Sequence, residues 1–229
     1  METGNNLSSG EEIDLSTYPK RSQYFYFSKF EDPSYGFDVD IDVTNLVLLL
    51  KKRKESFFSG FFFLVMLGIN SVKETRMRSL KGHVYLYDVI HPTYTVMGKD
   101  SVYRNASFPM SFSYKEFYKR ERATTKEASL LPASDDLDRY PINALPNVVF
   151  ASCLPTLSIL GIKHPIPSGD KDSISVPRIL WDRIRTDQAG KMHVTLNITL
   201  SHALVDGFPL ASVFQKIQSL ALHPEEVLK

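Results

Sequence analysis

The chemistry-bearing residues of this chain are densest near its end. They lie in Met192-His-Val-Thr-Leu-Asn-Ile-Thr-Leu-Ser-His202-Ala-Leu-Val-Asp206-Gly207-Phe-Pro-Leu210. A histidine sits where one periodicity stops and another begins, and an aspartate and a glycine follow four and five residues on. Upstream, Met192, Val194, Leu196, Ile198 and Leu200 alternate with polar residues, the pattern of a half-buried strand. Downstream, Leu210, Val213, Phe214, Ile217 and Leu220 recur at helical spacing, and Pro209 suits a first helical turn. By parity His202 points to the side of the apolar residues. An imidazole sent inward at a strand end can take a proton from a bound substrate. From these residues alone, a hydrogen-bonded core histidine beside an ordinary Asp-Gly turn is the commoner reading.

Other chemistries find no support in the sequence. It has no Gly-rich phosphate loop, no paired cysteines, no His-x-x-x-His and no Gly-x-Ser-x-Gly, and its six histidines are scattered singly. No metal site is therefore expected. Cys153 follows a strand rather than opening a helix, so it reads as inert packing. A histidine base with hydroxyls on other elements suits direct transfer between two bound substrates, with no covalent intermediate.

Composition sets the class. The 229 residues are 43% hydrophobic and 12% aromatic, enough for a globular core. With 27 basic and 26 acidic side chains there is no electrostatic footprint for nucleic acid. A lone cysteine forms no internal disulfide, which suits a cytoplasmic location. Residues 57–69 form a Phe-rich block, too short and too interrupted by glycine and serine to span a bilayer. It reads as a buried helix, with Lys51-Lys-Arg-Lys54 as a solvated face and no membrane partner.

The elements that must position the histidine follow from local pattern. A flexible N-terminus is expected over residues 1–13, then a single domain over 14–229. Asp14 to Lys20 reads as a strand, and Arg21 to Phe27 opens a short helix or turn. Residues 33–36 read as a turn, and Phe37 to Val43 as a strand with an acidic outer face. Thr44 looks like the N-cap of a helix running to about Val72, with Gly60 as a possible kink. Met77 to Asp88 forms a hairpin about Lys81-Gly82, and Tyr94 to Met97 a further strand. Tyr114 to Leu131 is helical, and Asp135 to Pro146 a loop. Val148 to Ser152 is a short buried strand, Thr156 to Gly169 is loop-rich, and Val176 to Arg185 is a strand. This mixture argues one two-layer α/β domain.

With these residues in view, the chain resembles the chloramphenicol acetyltransferases, the trimeric, CoA-dependent acyltransferases, from about Tyr18 to Leu220. Ser201-His202-Ala-Leu-Val-Asp206-Gly207-Phe208 is similar to the family's His-x-x-x-Asp-Gly-Phe. Arg76-Met77, Lys81-Gly82 and Tyr87-Asp88-Val-Ile-His91-Pro92-Thr-Tyr94-Thr95-Val96 resemble its Arg-Met, Asp-Gly and Trp-Asp-x-Val-His-Pro-x-Tyr-Thr-Val run. Tyr18-Pro-Lys20-Arg21-Ser-Gln-Tyr24-Phe25 resembles the opening Trp-x-Arg-x-x-His-Phe, and Phe150-Ala-Ser152-Cys153-Leu154-Pro155 the segment carrying the oxyanion serine.

The resemblance implies a two-layer sandwich in which helices pack on one face of a mixed, mostly antiparallel sheet. It implies acetyl-CoA as co-substrate, chloramphenicol or a similar hydroxyl-bearing small molecule as acceptor, and a role in antibiotic resistance. It also implies a homotrimer with its sites between subunits. Carried over residue by residue, His202 is the general base acting through Nε2, with Nδ1 bonded to its own carbonyl. Ser152 is the oxyanion donor, and Asp206 is structural, paired with Lys20 or Arg21. Phe27 and Tyr35 fall in the acceptor pocket, and Arg183 with Trp181 near the CoA tunnel, although Trp181 also reads as core. Leu180 stands where the family often carries a threonine. An acyltransferase with another acceptor, and a catalytically silent binding module of the same fold, are the alternative readings.

Overall fold

In the computed structural model, residues 10–132, 145–167 and 170–229 are described. A mixed sheet runs in the order β2-β10-β8-β7-β5-β6, with β9 also paired to β10. Its strands are β2 (Ser34–Asp42), β5 (His91–Met97), β6 (Tyr103–Ser107), β7 (Val148–Cys153), β8 (Arg178–Trp181), β9 (Arg185–Thr186) and β10 (Met192–Ser201). Only β5–β7 and β7–β8 pair in parallel among its pairings, so the sheet is mostly antiparallel. A smaller sheet joins β1 (Gly10–Glu12), β4 (His83–Tyr87) and β3 (Met77–Leu80).

Helices cover one face of the large sheet because one parity of its strands is apolar. Val194, Leu196, Ile198 and Leu200 of β10, with Ile179 and Trp181 of β8, are buried on that side. Against them pack α2 (Thr44–Arg53), α3 (Phe57–Ser71), α4 (Tyr114–Leu130) and α6 (Gly207–Leu222), while α5 (Lys171–Ile174) is a single turn before β8. The Phe-rich block is the central helix α3: Phe61, Phe62 and Phe63 are fully buried. Phe58, Phe61 and Phe62 surround the Trp181 ring at 5.2–5.7 Å. Burying four such rings contributes several kcal/mol of hydrophobic stabilisation, at about 1.5–3 kcal/mol for each side chain. Among the described residues no helix is long and apolar enough to cross a membrane. The opposite sheet face carries Asp38, Asn197, Leu180, Ser152 and Thr95 in one row, and residues 157–164 cross part of it. There His164 Nε2 meets Asn197 Oδ1 at 2.9 Å, and Asn197 donates to Asp38 at 2.9 Å.

Several expectations are corrected. Asp14 to Lys20 is not a strand. The Asp14 carboxylate accepts the Ser16 N–H at 2.8 Å and bends the chain, while the strand lies earlier, at Gly10–Glu12, inside the segment expected to be flexible. Residues 34–36 belong to β2. Gly36 is there because a Cβ would lie 2.4 Å from the Ile198 carbonyl across the pairing. The long helix is two helices, α2 and α3. Lys54 takes φ 56° and ends the first, and the Ser56 hydroxyl caps the second by accepting the Ser59 N–H. Gly60 does not kink α3; it leaves room for Leu50, whose Cδ1 lies 2.5 Å from where a Cβ would stand. Thr44 is the first residue of α2 and not its N-cap, which is Val43; Asp42 accepts both the N–H and the hydroxyl of Thr44. The strand expected over Val176 to Arg185 breaks at Asp182, whose carboxylate accepts the N–H groups of Thr195 (2.7 Å) and Ile159 (3.1 Å). Strand β6 escapes the sequence pattern because Arg104 occupies an inward slot. It is satisfied there by both Asp100 oxygens at 2.7 Å and by the Leu131 carbonyl. The expected loop over 135–146 falls almost wholly outside the described residues.

Candidate active site

The site is built where β10 ends. Ser201 pairs with Ser34, and the His202 N–H donates to the Pro33 carbonyl at 2.9 Å, so His202 is fixed by the start of β2. Its ring is clamped between two aromatic rings. Phe27, the last residue of α1 (Arg21–Phe27), stacks at 3.9 Å between centroids and 16° between planes. Tyr35 stacks on it at 4.1 Å and 28°. The two residues that the resemblance assigns to the acceptor pocket thus both reach the imidazole. The Tyr35 hydroxyl donates to the Val205 carbonyl at 2.8 Å, and tethers the turn that follows the histidine. Burial of this phenol pushes its pKa well above the ordinary tyrosine value, and the nearby Asp206 charge adds to the effect.

The expected bond from His202 Nδ1 to its own carbonyl is not formed. Nδ1 is buried without a hydrogen-bond partner among the described residues. The ring's orientation comes from stacking instead, which fixes the plane without fixing the tautomer.

Asp206 precedes α6 but does not cap it with its side chain. Its carboxylate turns to Lys20 at 2.9 Å, and the same ammonium meets Glu74 at 3.0 Å. Burial opposes the Lys20 charge, but hydrogen bonds to Asp206 and Glu74 outweigh it and hold the ammonium above its usual pKa. Lys20 is the aspartate's partner. Arg21 is not: it donates to the Ser16 carbonyl at 3.0 Å. The pair ties the His202 turn to α1 and to the short 3-10 turn at Glu74–Arg76.

Ser152 lies elsewhere in the same chain. Its hydroxyl is 2.8 Å from that of Thr95 across β5 and β7, on the sheet face away from the helices. Ser152 is level with Leu180, and Leu180 with Asn197, five residues before His202 and on the opposite parity. Two strand spacings across and five residues along put Ser152 and His202 roughly 20 Å apart. One chain does not bring them together.

Trp181 is corrected. It is fully buried in the aromatic core and faces the helices, so its ring is closed to solvent. Arg183 is exposed, its Nε donating to Ser158 at 2.7 Å. Cys153 is a poor nucleophile: burial pushes its thiol up to about 12, and the Asp182 carboxylate adds to the effect. The pattern reading missed His164 and Arg178, both on the open face. Burial lowers the His164 pKa and outweighs its hydrogen bond to Asn197, so the ring stays neutral at physiological pH. The contact to Asn197 Oδ1 makes Nε2 its donor and leaves Nδ1 as an acceptor. The alternation of β8 could have placed Arg178 on this face beside Leu180; no local pattern marked His164.

This layout of sheet, one-sided helices and histidine at a strand end is that of the acyltransferase fold. The chain superposes on a solved chloramphenicol acetyltransferase with a TM-score of 0.84 over 93% of its length and all of that structure, at 18% identity. On a dihydrolipoamide acetyltransferase of Azotobacter vinelandii the score is 0.65, over 91% and 88% of the two chains, at 11% identity. The chain belongs to the chloramphenicol acetyltransferase family, whose model matches residues 9–218, and it is an acyltransferase. Its relatives named chloramphenicol acetyltransferase include proteins of Proteus mirabilis and Staphylococcus aureus. The first is 23% identical over 90% of this chain and 92% of its own, the second 23% over 94% and 97%.

Proposed function

We propose that this chain transfers the acetyl group of acetyl-CoA to a hydroxyl of a small molecule, with His202 as general base. Chloramphenicol is the acceptor its relatives' names suggest. The observation that carries this reading is the clamped imidazole, held by Phe27 and Tyr35 at the end of β10. His202 Nε2 takes the proton of the acceptor hydroxyl as the oxygen attacks the thioester carbonyl. The tetrahedral oxyanion accepts a hydrogen bond from Ser152. Collapse breaks the C–S bond, and the departing CoA sulfur takes the proton back from His202. Asp206 and Lys20 position the turn and take no proton. Arg183, exposed and cationic, suits a contact to a CoA phosphate.

The separation of Ser152 from His202 supports a homotrimer. Base and oxyanion donor must both lie within a few ångströms of one carbonyl, so the serine comes from one copy and the histidine from the next. The test is CoA thiol release with chloramphenicol and a panel of other hydroxyl compounds. His202→Ala is expected to lose about 10²–10⁴-fold in rate. Mixed in equal amounts during refolding, His202→Ala and Ser152→Ala chains are expected to recover about a quarter of native activity. Half of the facing histidines and half of the facing serines are native, and they pair at random. Release unchanged in His202→Ala refutes the base. No release with any acceptor favours a silent binding module, and a mixture as inactive as its parents refutes the shared site.

A further inference from the structure

The open sheet face that carries Ser152 also carries a cation with unused hydrogen-bonding capacity. Arg178 lies one strand over from Ser152 and two residues back along the register, so their Cα atoms are roughly 8 Å apart. By parity the two side chains share a face. Arg178 is 7% exposed, and its guanidinium lies 5.9 Å from the centroid of the Phe150 ring. Nη1 donates to the carbonyls of Ser173 (3.0 Å) and Val176 (3.2 Å), and Nη2 to the Ser173 hydroxyl (2.9 Å). That occupies three of five N–H groups. The Nε–H and the second Nη2–H meet no partner among the described residues, and together they form the edge that grips an oxyanion bidentately.

No carboxylate among the described residues lies within ion-pair distance of this guanidinium. Asp170 and Asp32 are close enough to act through space, and Asp32 is itself engaged by the Ser34 N–H and the nearby Lys163. Burial lowers the Arg178 pKa, and those two carboxylates offset it only in part. A buried cation without a counter-ion is costly and is ordinarily paired. Of the β2 acids with this parity, Asp38 is taken up by Asn197, Asp40 by Arg185 and Asp42 by Thr44 and Lys191.

We propose that Arg178 is a specificity-determining residue that receives an anionic group of the acceptor, so that this acyltransferase favours hydroxyl compounds bearing a carboxylate or phosphate over neutral alcohols. The inference rests on the reading of Ser152 as part of the reacting site. The anion would sit roughly 8 Å from the hydroxyl that is acetylated, the span from Ser152 to Arg178. The Phe150 ring flanks the guanidinium and offers an apolar wall for the carbon skeleton between the two groups.

The test compares matched acceptors on the native protein: hydroxy acids of graded length, each against its own primary amide, with chloramphenicol as the neutral reference. CoA thiol release is the readout. The acids are expected to exceed their amides about 10- to 100-fold in kcat/KM, the value of hydrogen bonds to a charged partner. Arg178→Lys keeps the charge without the fork and is expected to retain part of that preference, whereas Arg178→Met loses it through KM. Because Arg178→Met also strips the Ser173 and Val176 carbonyls of their donor and so perturbs the fold, the native acid-to-amide ratio decides. Amides or chloramphenicol turned over as well as the acids overturn this inference and leave the transferase reading standing. No acceptor turned over above the His202→Ala background removes both.

Discussion

Tyr35→Phe separates the two tasks of a single side chain. The ring stacks on His202 at 4.1 Å, and the hydroxyl donates to the Val205 carbonyl at 2.8 Å. The substitution keeps the ring and deletes the tether. Val205 is buried, so its carbonyl loses a partner where little water can replace it. An unmade bond of this kind costs about 1–3 kcal/mol, and removing the half-buried hydroxyl returns part of its own desolvation, for a net loss of about 1.5 kcal/mol. In a chain of this length that lowers Tm by about 3–6 °C. The tether closes the turn that carries His202, so misplacing the ring is expected to lower kcat about 10-fold with KM for acetyl-CoA unchanged. Calorimetry and thiol-release kinetics read the two effects. An unchanged Tm refutes the tether, and a lowered Tm with native kcat shows that the turn holds the imidazole without it.

Lys20→Ala leaves Asp206 and Glu74 facing each other without their cation and is expected to cost about 1 kcal/mol, the modest value of a pair about one-third exposed, together with part of the activity. Arg21→Ala, which removes only a bond to the Ser16 carbonyl, is expected to be near neutral by thermal melt; the reverse order refutes the pairing. Cys153 is expected to resist a neutral alkylating reagent at pH 8 until denaturant is added, and mass spectrometry that finds the native thiol modified refutes its burial. Its folded pKa, about 12, lies above the unfolded value, so the native state holds a proton that the unfolded chain has released. The contribution is full below about pH 8.5 and declines by up to about 1.4 kcal/mol per pH unit as pH climbs toward 12. Tyr35 and Tyr114, both pushed up by burial, act in the same direction above about pH 10.

What the sequence discloses here is what periodicity encodes. The strand at Met192–Ser201, the helix after Pro209 and the helix from Tyr114 each carry several turns or pleats of one pattern, and each forms as read. The Met77–Tyr87 hairpin is marked by Lys81-Gly82, whose positive φ values the turn requires. The misread positions are those where a residue answers to a distant partner. Gly36 and Gly60 resemble punctuation in one dimension. In three they are gaps, one for the Ile198 carbonyl and one for Leu50. Lys54 ends a helix in a left-handed conformation without glycine, and Asp182 ends a strand by accepting two backbone N–H groups from elsewhere. At the site, Phe27 and Tyr35 stack on His202 and Lys20 pairs with Asp206 four residues on, while Trp181 lies in the core. On its strand Trp181 has the parity of Ile179, and that parity faces the core.

The same parity argument explains why this fold divides its chemistry. A sheet covered on one face by helices can present polar chemistry inside a chain only on the other face or at a strand end. Ser152, Thr95, Asn197 and Arg178 take the uncovered face, and His202 takes the end of β10. His202 therefore stands on the side of the helices and Ser152 on the side away from them, separated by a length no single acyl group spans. In the shared site proposed above, the end of β10 in one copy would meet the open face of another. Such a contact would cover Ser152 and Thr95, which the single chain leaves half-buried, and make the acceptor the contact between base and donor. On that proposal acceptor choice rests with the open face, because the clamp on His202 leaves the imidazole little freedom to select. Substitutions at Phe150, Arg178 and Leu180 should accordingly change which hydroxyl compound is acetylated, whereas substitutions at Phe27 and Tyr35 should change the rate for all of them.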